Sequence, residues 1–332
     1  MVSCRKNCGS CPLYSVCFCS IVGISSDERS VRDMKLAVMA DLHVDLVPGA
    51  QRRLTDFFAA ARREHADMIV NLGDFAAPGP ENQWVADMWR SCPVPHCMVL
   101  GNHDMDESDK SGVMQFYGLK RSYDTFVFEG VQFILLDTNH FERNGICYDY
   151  AYRNYFGKQR EFLGAEQRRW LRDVLTQTEL PCILFSHEGL ENTGDKEDVL
   201  AILKEYRDKM VACINGHNHV DGVTEQEGIH FLDVISMSQH WIGETTQLLT
   251  AEECAGYFTE ETFRQYPFLK YMTPLAEAMY EFVDIDLEKR QISVSGTRSS
   301  FVGRSPVERG HSGTINGIAM TAEVKERTFC WG

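Results

Sequence analysis

The chain has 332 residues, of which 44% are hydrophobic and 24% charged, with a formal net charge of −15. That length predicts one big domain or a domain plus insertions around a large core, and the balance is ordinary for a soluble globular protein. The diffuse negative field argues against a non-specific nuclease or an anionic-membrane binder, and no run reaches the roughly 18 apolar residues of a spanning helix.

Of twelve cysteines, five fall in the first nineteen residues, at Cys4, Cys8, Cys11, Cys17 and Cys19. Three readings stay open for residues 1–33. They can be an extension or upstream start, since Met34 directly precedes the first strand. Residues 1–26 can be a signal segment, which would make the protein exported. Cys4-x3-Cys8-x2-Cys11 can also bind metal or an iron–sulfur group. The other seven cysteines are scattered, with Cys97, Cys182 and Cys213 in strand-like runs. That usage predicts reduced core thiols and a cytoplasmic protein, not a disulfide framework.

From Met34 onward, five short apolar runs each end in residues able to ligate a metal. LAVMA leads to Asp41-Leu42-His43, DMIVNL to Gly73-Asp74, and CMVL to Gly101-Asn102-His103-Asp104. CILF leads to Ser186-His187, and ACIN to Gly216-His217-Asn218-His219. Any one of these could be an ordinary polar turn. All five at the carboxyl ends of predicted strands is the arrangement by which open α/β sheets gather a site. The stretches between them carry helical periodicity. Leu54, Phe57, Phe58 and Ala61 mark one helix, and Trp84, Val85, Met88 and Trp89 a second. Trp170, Leu171, Val174 and Leu175 mark a third, and Val199, Leu200, Leu203 and Tyr206 a fourth. Strand–ligand–helix repeats imply crossovers and largely parallel strands. Together the clusters supply enough imidazole, carboxylate and amide donors for two divalent cations, and a metal pair can activate water against a phosphate ester.

Taken in order, D-x-H, G-D, G-N-H-D, a lone His and G-H-x-H, these residues resemble the calcineurin-like metallophosphoesterase superfamily, over roughly Met34 to Ser300. The resemblance implies an α/β fold, a two-sheet mixed β-sandwich flanked by helices in four layers. It implies that Asp41, His43 and His219 hold one metal, that Asn102, His187 and His217 hold the other, and that Asp74 bridges them. A donor set without thiolate suits manganese, iron or zinc. His103 and Asp104 are the catalytic candidates. Beside a ligand, His103 could protonate the leaving oxygen while a metal-bridging hydroxide attacks. Asp104 would orient His103 or cap the next segment of chain.

After Gly73-Asp74 the chain reads Phe75-Ala76-Ala77-Pro78-Gly79. It lacks the Asp-Arg-Gly of the protein Ser/Thr phosphatases and the Tyr of the purple acid phosphatases, whose place is taken by Ala77. The remaining resemblance is to bacterial class III cyclic nucleotide phosphodiesterases and nucleoside-diphosphate hydrolases. This implies a small phosphorylated substrate, a phosphodiester or a nucleotide-diphosphate conjugate, and no nucleic-acid polymer. A phosphomonoesterase and a metal-bearing non-catalytic scaffold are the alternatives, and the oligomeric state is left open. Aromatic-rich insertions near 141–162 and 239–274 are candidate substrate lids or local core, with Tyr148, Arg153 and Tyr155 as possible substrate contacts. GIHFLDVIS reads as a strand, and residues 280–296 as a hairpin extending a second sheet. No role is assigned to 301–332.

Overall fold

A computed structural model describes residues 33–332. The amino-terminal cysteines and the three readings of that segment lie outside the described residues. Among the described residues no helix is long and apolar enough to cross a membrane.

Two six-stranded mixed sheets carry the fold. The first runs, edge to edge, Arg327–Cys330, Gln291–Gly296, Glu281–Asp286, Met34–Met39, Met68–Asn71, His96–Met98. The second runs Gly222–Gln226, Ile229–Asp233, Met210–Asn215, Cys182–Ser186, Val131–Leu135, Asp124–Phe128. Strands followed by candidate ligands pair in parallel, Met34–Met39 with Met68–Asn71 and Cys182–Ser186 with Met210–Asn215.

Alternation along the strands builds the layers. Leu36 and Val38 of the first sheet pack with Phe133, Ile183, Phe185 and Ile214 of the second in one core. The intervening Ala37 and Met39 face outward, onto Leu54 and Phe57 of helix Ala50–Arg63, Trp89 of Gln83–Arg90 and Val113 of Lys110–Tyr117. On the far side, Ile134, Leu184 and Cys213 meet Leu171 and Leu175 of helix Gly164–Gln177 and Val199 and Leu203 of Lys196–Glu205. Strands covered on both faces read as continuous apolar runs, which is why these five were visible in the sequence. The result is the expected four-layer helix–sheet–sheet–helix sandwich. Helix Lys110–Tyr117 shows how local chemistry sets ends: the Asp109 side chain accepts from Gly112 N–H, and Gly118, at φ 77°, closes the last turn.

The carboxyl-terminal hairpin forms where expected, but in the other sheet. Glu281–Asp286 lies antiparallel to Met34–Met39, so the hairpin extends the sheet that opens the domain. Residues 301–332 also have structural work. Arg327–Cys330 adds the edge strand of that sheet. Arg309, fully buried, donates to the carbonyl oxygens of Gln247 and Lys270 at 2.7 and 2.6 Å and also to that of Met272, and so ties down the second insertion. The first insertion makes a three-stranded ribbon of His140–Arg143, Ile146–Asp149 and Gln159–Arg160.

Candidate metal centre

The five loops that leave the parallel strands converge at one end of the sandwich. Asp41 N–H donates to Gly73 C=O and His43 N–H to Asp74 C=O, each at 3.0 Å, joining two loops of the first sheet. Gly216 N–H donates to His187 C=O at 3.0 Å, joining two of the second. Gly73 and Gly101 lie back to back: a Cβ on Gly73 would run into the Gly101 backbone, and one on Gly101 into Asp74. Only glycine permits that approach, and Gly73 also sits at φ 93°. Asp41, His43, Asp74, His217 and His219 all occupy the left-handed region, at φ 50–63°. Each such non-glycine residue costs on the order of 1–3 kcal/mol, and strain of this kind collects at functional sites.

The side chains so placed form two groups. Asp41, His43 and His219 have one ligand atom each within 4.8 Å of one another, and so do Asp74, His187 and His217. In the first, His43 Nε2 is 3.1 Å from His219 Nε2, and His219 Nε2 is 3.3 Å from Asp41 Oδ1. In the second, His187 Nε2 is 3.2 Å from both His217 Nδ1 and Asn102 Oδ1. Asp74 Oδ2 faces both groups, 3.7 Å from His43 Nε2 and 3.3 Å from His187 Nε2. One oxygen of each carboxylate is held by backbone: His103 N–H donates to Asp74 Oδ1 at 2.7 Å and His217 N–H to Asp41 Oδ2 at 3.0 Å. The other oxygens, Asp41 Oδ1 and Asp74 Oδ2, are buried and accept no hydrogen bond from the described residues. Carboxylate oxygens and imidazole nitrogens thus converge on two common points. A buried arrangement of that kind is costly unless a cation occupies it, so the donor set fits two divalent ions.

The ligand imidazoles differ in their electrostatics: burial opposes a charged His187 and a charged His217, but Asp74 raises the first and Glu188 the second. Burial holds the His43 imidazole down at about 3, so it is a neutral lone-pair donor. Burial opposes ionisation of Asp74, but His187, His103 and His43 outweigh it and keep the carboxylate well below its ordinary range. Burial also opposes a charged His103, yet Asp74 and Asp106 raise that imidazole to about 9. The partner of the His103 ring is Asp106, whose Oδ2 lies 2.8 Å from Nδ1. Asp104, expected to orient His103 or cap the next segment, instead accepts from the N–H groups of Gly101, Phe75 and Ala76 at 2.8, 2.8 and 3.2 Å. It clamps the Gly73 and Gly101 loops together.

Two carboxylates behind imidazoles of the site, one behind His103 and one behind His217, were not singled out in the sequence. Asp106 stands three residues after His103, a spacing that could have flagged it. Glu188, next to His187, puts Oε2 2.9 Å from His217 Nε2. Of the possible substrate contacts, only Arg153 lines the cavity over the site, a space of about 350 Å³ walled also by His43, Asp74, His103, Phe75 and Phe268. Tyr155 is buried: its hydroxyl donates to Asp106 Oδ1 at 2.6 Å and accepts from Asn102 Nδ2 at 3.4 Å. Tyr148 is exposed and stacks on Phe141, ring centroids 5.3 Å apart. Pro267 and Phe268 bring the second insertion to the cavity and Arg153 the first.

The sequence profile of calcineurin-like phosphoesterases matches residues 34–221, more than half of the chain and all five ligand clusters. The chain belongs to that family, and its class is that of the phosphoester hydrolases. No curated protein matches the sequence significantly. Among solved structures, a dimetal phosphatase from Danio rerio is similar at 15% identity and TM-score 0.53, covering 82% of this chain and 99% of its own. A Plasmodium protein described as the anchor in the inner membrane complex is similar at 12% identity and TM-score 0.50, covering 82% and 89%. At such identities the likeness is one of fold.

Proposed function

We propose that this protein hydrolyses small phosphodiesters or nucleotide-diphosphate conjugates, with Asp41, His43 and His219 holding one cation, Asn102, His187 and His217 the other, and Asp74 shared. The observation that carries this reading is the pair of buried, unpartnered carboxylate oxygens, one in each group, facing converging imidazole nitrogens. Bound there, two divalent ions would lower the pKa of a water and neutralise charge on the phosphoryl oxygens. His103 holds a proton at the ring. With Nδ1 engaged by Asp106, Nε2 is the nitrogen left to donate. As water adds to phosphorus and the bond to the leaving oxygen breaks, that proton passes to the leaving alkoxide. Asp104 keeps the two loops in register, and Tyr155 holds the Asn102 amide with its oxygen toward the centre.

The choice of diester over monoester rests on the cavity wall. Its one guanidinium, Arg153, is already paired with Glu107 at 2.8 Å and lies 3.5 Å from Asp106. Asp45, Glu81, Asp106 and Glu107 line the same space. A dianionic monoester meets this acidic rim with no free clamp beyond the cations, whereas a diester carries one charge and gains more from protonation of its poorer leaving group. Leu46, Pro267 and Phe268 give the rim an apolar side for a ring or base. The test compares kcat/KM for bis(4-nitrophenyl) phosphate, 4-nitrophenyl phosphate and a phosphoserine peptide at one pH with manganese supplied. The diester is expected to lead. A phosphopeptide ahead by tenfold refutes the assignment.

A further inference from the structure

We infer that Glu188 is a positioning residue for His217, supplying one metal position with negative charge that its own donors lack; the inference rests on the two-metal reading above. The two donor sets are unequal. Asp41 gives the His43–His219 set a carboxylate of its own, while the matching member of the His187–His217 set is Asn102, a neutral amide. Apart from the shared Asp74, the second position therefore has no anionic donor.

Glu188 stands directly behind it. The residue is 4% exposed, and its Oε2 lies 2.9 Å from His217 Nε2. Its backbone is fixed from both sides, Ser186 Oγ donating to its carbonyl at 2.7 Å and its N–H donating to Thr138 Oγ1 at 3.3 Å. The Glu188 carboxylate, 2.9 Å away, favours the proton on Nε2, which leaves Nδ1 as the lone-pair atom of His217, and Nδ1 is the atom that turns inward, 3.2 Å from His187 Nε2. A ring that donates to a carboxylate is fixed in tautomer and orientation and is a stronger base toward a metal.

The other ligand rings are held differently. The outer nitrogen of His187, Nδ1, lies 2.7 Å from the neutral carbonyl of Leu72, and Nδ1 of His219 is buried without a partner. Among the described residues, Glu188 is the carboxylate that sits behind a candidate ligand at the position that lacks one of its own. Its own burial fits this role. Glu188 Oε1 accepts no hydrogen bond, and the Glu161 carboxylate lies within 4.8 Å of the Glu188–His217 pair. A buried anion beside a second carboxylate is costly unless positive charge adjoins it, and an imidazole resting on a divalent cation is such charge. Glu161 does not share the role, being partly exposed and 3.3 Å from Arg160.

The test is a manganese titration of the full-length apoprotein by calorimetry, with metal content checked by elemental analysis. Wild type is expected to take two equivalents. Glu188→Gln, which keeps the volume and removes the charge, should bind the first equivalent unchanged and the second about 10–100-fold more weakly. Glu188→Asp should recover part of that loss, and Glu161→Gln should stay near wild type. A circular dichroism spectrum confirms that each variant is folded, and retention of the first equivalent is itself a sign of an intact site. Two equivalents of wild-type affinity in Glu188→Gln overturn the inference. So does a third equivalent in wild type that both Glu188→Gln and Glu161→Gln lose, because Glu188 would then be a ligand. Wild type that takes up no metal fails at the earlier step and refutes the two-metal reading itself.

Discussion

Two acid–imidazole clusters of this protein, the buried metal centre and a second group that is only partly buried, solve the same problem in opposite ways. Asp137, His140 and Asp149 also bring three potential ligand atoms within 4.8 Å. There the cation is part of the chain: Lys110 Nζ lies 2.7 Å from Asp137 Oδ2, 2.6 Å from Asp149 Oδ1 and 3.3 Å from His140 Nε2. Around Asp41 and Asp74, among the described residues, no lysine or arginine side chain pairs with the carboxylates, and their inner oxygens face imidazole nitrogens instead. Equal spacing of ligand atoms is therefore a poor guide to metal binding. Whether the protein already supplies the positive charge is the better one.

The largest effect should come from breaking the shared oxygen. Asp74→Asn replaces a carboxylate that faces both groups with a neutral amide, and turnover should fall to background with loss of both tightly held metals. Elemental analysis decides it: two equivalents retained would show that Asp74 does not bridge. Next, His103→Gln should leave metal content near wild type while kcat falls by about 10²–10⁴, the usual cost of a lost acid–base group. Metals that leave with the imidazole would make His103 a ligand.

The self-neutralised cluster makes the converse prediction. Burial pushes the Asp137 carboxyl upward, but Lys110, helped by His140, holds it below the ordinary range. A depressed folded pKa means that the stabilisation is present above the unfolded value, about 4, and is lost as pH falls through the folded one. Lys110→Met should cost about 3–5 kcal/mol at neutral pH, as removal of one partner of a buried ion pair does. It should also reverse the sign. With its partner gone, Asp137 would have a raised pKa, so the variant would lose stability as pH rises from about 4. Urea midpoints between acid and neutral pH test this, and a pH dependence parallel to wild type would contradict it.

The same contrast explains what could be read from the sequence. The ligands were legible because each comes after a strand buried on both faces, and such strands announce themselves as unbroken apolar runs. The hairpin Glu281–Gly296 was equally legible as an element, but its sheet was not. Its pairing partner, Met34–Met39, is set by long-range packing that no local pattern encodes. The Asp124–Leu135 hairpin leads to Asp137-Thr138-Asn139-His140, which matches none of the five clusters, and Arg327–Cys330, an edge strand alternating half-buried and exposed, carries too weak a pattern. Behind the ligands, legibility was poorest. Asp106, Glu188 and Lys110 act through side chains that the fold brings in from elsewhere, Tyr155, His217 and Asp137 among them, and charged residues ordinarily mean only solvation.

Tyr155 gives the finest test of the same contrast, because it separates holding a ligand from being a substrate lid. Its ring is buried and stacked on Tyr150, centroids 4.3 Å apart, so Tyr155→Phe keeps the packing and removes one oxygen. Two contacts go with that oxygen: the donation to Asp106 Oδ1 and the acceptance from Asn102 Nδ2. Asp106 would then orient His103 with one fewer donor, and the Asn102 amide would be free to turn its oxygen away from the centre. A hydrogen bond to a charged group contributes about 1.5–3 kcal/mol, and part of this is recovered by water entering from the cavity. The expected result is kcat lower by several-fold, with second-equivalent manganese affinity weakened by a similar factor and KM for a diester little changed. A substrate-contact role predicts the reverse, a raised KM with kcat and metal affinity intact. Tyr148→Phe, on the exposed face of the ribbon, should move neither.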